Sequence, residues 1–214
     1  MGHTSGGGES LLRAAHALLE QRGYAASGLA EICRAAGVPR GSFHYFFASK
    51  EELALRVVDE HWNAQRRTWL RLLESGAEPM ERLRALCEAV CLPQGDGPPD
   101  GGMVSGRMLA RLAVEAGEPA GAVRERVGEI LDAQVGMVES VLSQARRRGA
   151  VSVSDTRESA RSVLAQLQGR ILFAALYGDR ARLGPVWADC LALLGARGPR
   201  TAAAAHRGPH AVPV

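Results

Sequence analysis

Between Ser27 and Lys50 the chain gathers side chains suited to hydrogen bonding rather than to bond breaking. Arg40, Gly41, Ser42, His44, Tyr45 and Lys50 set cations, short polar groups and a phenol close together. Arg40 can reach a guanine edge or a phosphate, and Ser42 and His44 can touch bases. Gly41 leaves room for a backbone to approach. Ser27, just upstream, adds one more hydroxyl. This is the chemistry of binding an anionic, hydrogen-bonding surface such as a duplex major groove.

Such groups need a rigid rod to carry them. At about 100° per residue, Phe43, Phe46 and Phe47 fall on one side of a helix over Arg40–Phe47. Gly41, Ser42 and Tyr45 fall on the other side, with His44 at the flank. Leu29–Ala36 reads as a preceding helix with Ser27 as its N-cap. Gly37-Val38-Pro39 breaks it, with glycine for a left-handed turn and proline for the next helix start. Ser49-x-x-Glu52 is a capping box that opens a further helix. Lys50, the only lysine of the chain, falls in the first turn of that helix, where the macrodipole disfavours a cation. A bound phosphate would relieve that conflict. A solvated surface lysine is the plain alternative.

GVPRGSFHYFFASKEEL at 37–53, with LLRAAHALLEQRGYAASGLAEICRAAG upstream, resembles the helix-turn-helix of TetR-family transcriptional regulators. The similarity covers Leu11–Val57. Tyr45, Phe47 and Lys50 match the family pattern, and His44, Phe46 and Ala48 depart from it. The resemblance implies an all-α homodimer, usually a repressor that a small ligand releases from its operator. It also implies that Tyr45 and Lys50 contact phosphate.

Composition agrees with a helical chain. Only 5% of the 214 residues are aromatic, and leucine, alanine, arginine and glutamate dominate. The net charge of +3 is too small to demonstrate a nucleic-acid partner. Its distribution is more telling. Residues 1–50 carry net +2, residues 51–195 net −2, and the acid-free tail 196–214 net +3. A basic head on an acidic body suits a DNA reader whose second part avoids phosphates. MGHTSGGGES lacks the apolar stretch of a secretion signal, and no segment has the length of a membrane span. A cytoplasmic protein without membrane contact is expected, with Cys33, Cys87, Cys91 and Cys190 reduced.

The expected organisation is a disordered arm at 1–8, a three-helix DNA-binding domain at 9–50, a helical ligand-binding and dimerisation domain at 51–195, and a disordered tail at 196–214. About nine helices result. Glu9–Arg22 is amphipathic and ends at Gly23. Glu51–Glu74 is a long helix apolar over a wide arc, and serves as the mechanical link. Pro79–Leu92, Met103–Ala116 and Pro119–Arg148 follow, with PQGDGPPDGG at 93–102 as a surface loop. Asp155-x-x-Glu158 opens a helix to Tyr177, and Leu183–Leu194 is the last. These two are apolar on more than one side, which suits a four-helix interface with a second copy. A single thick monomeric core is the alternative.

For an effector, the candidate lining is Trp62, Trp69, Met103, Met108, Gln166, Arg170, Phe173 and Tyr177. Each is also compatible with ordinary packing. GGMVSGRMLARLAVEAGE resembles a TetR subgroup in which a cysteine senses electrophiles, and Met103 takes that place here. Cys87-x-x-x-Cys91 puts two thiols one turn apart, too few for a metal site. No catalytic constellation, phosphate loop or dinucleotide fingerprint is present, so no cofactor, metal or enzymatic activity is expected. The reading is a ligand-responsive DNA-binding regulator. The alternative is a helical small-molecule sensor that does not dock on DNA.

Overall fold

The computed structural model describes residues 4–91, 105–115 and 121–196. Among these residues it is all-α, with nine α-helices and two short 3-10 turns. The first helix, α1, runs Thr4–Ala26 and kinks at Gly23. It therefore starts inside the stretch expected to be a disordered arm. The reason is local: a Cβ on Gly7 would stand 2.7 Å from the Phe46 ring, so glycine lets that ring lie on the helix.

The second helix, α2 (Leu29–Ala36), ends at Gly37 in the left-handed region at φ 67°. Gly37 N–H and Val38 N–H close the turn on Arg34 O and Cys33 O. A 3-10 turn at Arg40–Ser42 leads into α3 (Phe43–Phe46), and Phe47 is already extended. The expected Arg40–Phe47 rod is thus one 3-10 turn joined to one α turn. The fourth helix, α4, spans Lys50–Leu73. Its N-cap is formed: Glu52 N–H donates to Ser49 Oγ at 3.0 Å. The Glu52 carboxylate accepts not from Ser49 N–H, as a strict capping box would have it, but from Ala48 N–H one residue earlier, at 2.7 Å.

Beyond it come α5 (Pro79–Cys91), α6 (Ser105–Glu115), α7 (Gly121–Arg147), α8 (Thr156–Tyr177) and α9 (Val186–Leu193). The second 3-10 turn, Arg180–Leu183, separates the last two where one helix from Leu183 was expected. Asp155 caps α8 by accepting from Arg157 N–H and Glu158 N–H. The segment 93–102, Met103 and the tail from 197 lie outside the described residues.

Two cores hold these helices. The first joins α1, α2 and α3 to the first half of α4, and continues through Met108, Leu109 and Leu112 of α6 to Val123, Val127 and Ile130 of α7. The second gathers Trp69, Leu73, Leu83, Leu86 and Val138 with Leu167, Ile171, Val186 and Cys190. A boundary at 50/51 therefore cuts one continuous core. α6 and the start of α7 are built into the unit that carries the helix-turn-helix. Arg111 reinforces this junction, donating to the Glu20 and Gln21 carbonyls at the end of α1.

Candidate nucleic-acid interface

Phe43 fixes the short α3. It is fully buried, and its ring packs against Phe47 at 6.0 Å between centroids. Leu11, Ile32 and Leu53 from the surrounding helices complete the seat. Burying two phenylalanines stabilises this attachment by on the order of 3–6 kcal/mol. Phe46 differs from the expectation of a third core ring. It is half-buried, lying on Gly7 and Gly8 of α1 and edge-on to Tyr45.

With that side anchored, the opposite edge is free. Arg40, Gly41, Ser42, His44 and Tyr45 are all exposed, and Tyr45 keeps 74% of its surface. Of these, Gly41, Ser42 and Tyr45 line a groove of about 840 Å³. Gly6, Gly7 and Ser10 of α1 form one wall of it, and Pro39, Gly41, Ser42 and Tyr45 the other. An exposed large aromatic beside glycines and a cation suits a partner that offers both stacking surface and negative charge.

Two expected members of the set are placed differently. Ser27 is fully buried, and its hydroxyl donates to the Gly23 carbonyl at 2.6 Å. Gly28, not Ser27, occupies the N-cap of α2, and it provides no side-chain hydrogen bond there. The kink at Gly23 exposes a carbonyl that a neighbouring hydroxyl can satisfy, so Ser27 turns inward. Lys50 is half-buried rather than presented to solvent. Its ammonium donates to the Tyr24 carbonyl at 2.6 Å and sits 4.0 Å from the centre of the Tyr24 ring. Burial pushes its pKa down. The carbonyl and the ring thus take over part of the compensation that the sequence assigned to a phosphate. Tyr24, itself buried, holds this arrangement and shows its phenol pushed up by burial.

The effector candidates scatter. Trp62 and Met108 are buried in the first core and Trp69 in the second, and the two indoles meet edge to face at 6.4 Å. These are packing positions at the seam of the two cores. Gln166, Arg170 and Phe173 do share a cleft of about 280 Å³ with Arg182. Yet Gln166 and Arg170 both donate to Asp189 of α9, which neutralises the arginine. Tyr177 is exposed, stacked on Phe173 with Arg182 over its ring. Sequence reasoning missed Arg82 and Gln144, which line a different cleft. Periodicity carried a faint signal, since Arg82 stands beside Leu83 on the buried side of α5.

All four cysteines are free and buried. Cys190 joins Cys87 and Cys91 in the second core. Burial pushes the Cys91 thiol up to about 11, and Cys87 is raised by its hydrogen bond with Cys190. No group of three metal-ligating side chains occurs among the described residues. No helix among them is long and apolar enough to cross a membrane.

Known proteins share both halves of this arrangement. The profile described as bacterial regulatory proteins, tetR family, matches residues 11–57. The profile described as tetracyclin repressor-like, C-terminal domain, matches residues 79–188. The HTH-type transcriptional repressor NemR of Escherichia coli is 28% identical over 150 residues, covering 66% of this chain and 67% of that protein. The HTH-type transcriptional regulator LmrA of Bacillus subtilis is 29% identical over 172 residues, covering 78% of this chain and 85% of LmrA. A crystal structure of a TetR-family regulator from Agrobacterium tumefaciens superposes with a TM-score of 0.78 at 22% identity, over 89% of this chain and 98% of that one. Buried phenylalanines behind an exposed polar edge, and the match of both segments, lead to one statement: this chain belongs to the TetR family of DNA-binding transcriptional regulators.

Proposed function

We propose that this chain is a homodimeric repressor that reads a palindromic operator and leaves it when a small molecule binds the helical body. The exposed edge Gly41-Ser42-His44-Tyr45, held out by buried Phe43, is the observation that carries the DNA-reading role. Arg40, Ser42 and His44 reach base edges and Tyr45 reaches phosphate. Lys50 keeps two N–H donors beyond the one given to Tyr24, and a phosphate oxygen meeting them would bring its pKa back up. The repressor sense follows the name of the NemR relative. A regulator of this kind works where the chromosome is, in the cytoplasm.

Dimerisation rests on α8 and α9. Leu172, Phe173, Leu176, Tyr177 and Leu193 are large, apolar and exposed, all on these two helices. A second copy of the same pair covers them in a two-fold four-helix interface. The two recognition edges then reach successive major grooves, about 34–36 Å apart. Effector binding acts by favouring another separation, and only a ligand with unequal affinity for the two arrangements can do so. The shared core of α1, α4, α6 and α7 gives that change a mechanical route.

The test is selection of duplexes from a random pool by the full-length chain, followed by affinity measurement across salt. If the dimer neutralises about 6–10 phosphates, affinity falls about 10³–10⁵-fold between 50 and 200 mM salt. Enrichment of a dyad-symmetric sequence and loss of binding in Tyr45→Ala/Lys50→Ala support the reading. Unchanged duplex affinity in that double variant favours the sensor that does not dock on DNA.

A further inference from the structure

Among the described residues, Arg82 is a buried cation without an anionic partner. It stands in α5, 8% exposed. Its Nη1 donates to the Leu73 carbonyl at 2.7 Å, and its Nη2 to Gln144 Oε1 of α7 at 2.6 Å. Both acceptors are neutral. The Nε–H is buried and has no acceptor, and no carboxylate stands within 4.0 Å of the guanidinium among the described residues. A guanidinium stays charged at any ordinary pH, so burial cannot be relieved by losing a proton. The C-terminal end of the α4 dipole offsets part of the cost. The remainder calls for a negative charge.

A cleft of about 370 Å³ opens beside this side chain, between the end of α4 and the middle of α7. Leu70, Leu73, Met137 and Val141 supply apolar walls, and Arg82 and Gln144 supply the polar ones. That mixture and size suit a small organic ligand. Glu74, exposed at the rim, disfavours a second negative charge and so selects a monoanion.

We infer that this cleft is the effector site and that it takes a small organic monoanion, with its carboxylate on Arg82 and its apolar body over Leu70, Met137 and Val141. This rests on the reading above that the body binds an effector, and it names the chemical class. The position explains the coupling: Leu70 and Leu73 end the helix whose first turn holds Lys50 against the helix-turn-helix.

Benzoate and its neutral counterpart benzamide test it by calorimetric titration of the full-length protein. Benzoate binds at least tenfold tighter than benzamide. Arg82→Gln, checked for folding by circular dichroism, makes the two equal. Gly136→Leu provides the second variant, because a Cβ there enters open space in the cleft wall and leaves Arg82 untouched. It removes benzoate binding while the fold stays intact. Equal binding of the two probes, no binding of either, or benzoate binding that survives both substitutions overturns the inference. Operator affinity measured alongside keeps the two readings apart. A protein that binds its selected duplex yet fails to discriminate the probes loses only the anion site. One that discriminates them and binds no duplex loses the DNA-reading role instead.

Discussion

Tyr45→Ala and Phe43→Ala, two residues apart in one short helix, should fail in opposite ways. Tyr45 is 74% exposed, so its removal shifts folding stability by no more than about 0.5 kcal/mol. If its hydroxyl donates to a phosphate, each copy loses a hydrogen bond to a charged group worth about 1.5–3 kcal/mol. A dimer loses two, about 3–6 kcal/mol, or about 10²–10⁴-fold in duplex affinity. Phe43 is fully buried, and truncation to alanine costs about 3–5 kcal/mol of stability. For a chain of this length that lowers Tm by about 6–20 °C. Fluorescence anisotropy on a selected duplex and thermal unfolding by circular dichroism read the two quantities. The reasoning fails if Tyr45→Ala keeps affinity within twofold, or if it lowers Tm as far as Phe43→Ala does.

Other expectations concern the frame around that helix. Gly23 sits at φ 81°, ψ −177° with the Glu115 carboxylate against it, so Gly23→Ala costs about 1–3 kcal/mol and lowers the urea midpoint without changing the slope. Ser49→Ala removes the N-cap bond to Glu52 N–H and costs about 1 kcal/mol in the same titration. His16 contacts His61 at 3.4 Å, with Glu20 and Glu60 nearby, and burial lowers its pKa below the ordinary 6.5 while Glu60 opposes. The folded state then binds this proton less readily than the unfolded one. Its contribution is complete above pH 6.5 and declines as pH falls toward the folded value. Unfolding titrations from pH 8 to 5 should show that decline, and His16→Asn should flatten it.

Local chemistry was readable in the sequence, and long-range partnership was not. Gly37 and Pro39 set their turn through conformations that glycine and proline adopt anywhere. Ser49 and Glu52 formed their cap because the partners lie within one helical turn. Phe43 is buried where helical spacing put it, and Phe47 is buried beside it although its backbone is already extended. Lys50 did not follow the local argument, because the carbonyl that satisfies it belongs to Tyr24, in another helix. Ser27 turned inward for a comparable reason: the kink at Gly23 left a carbonyl to fill. The division at 50/51 overlooked Met108 and Val127, whose attachment to the first core depends on how α6 and α7 return to α1. Arg82 escaped notice because its surroundings are set at long range: its Nε–H finds no acceptor among the described residues, and its Nη2 meets Gln144 of α7, which no spacing rule reveals.

Hydroxyl-radical footprinting of the full-length protein on a selected duplex bears most directly on the central claim. Two protected segments related by a dyad, their centres about one helical turn apart, are the predicted result. Protection confined to one asymmetric segment, or a footprint that Tyr45→Ala leaves intact, would contradict the account.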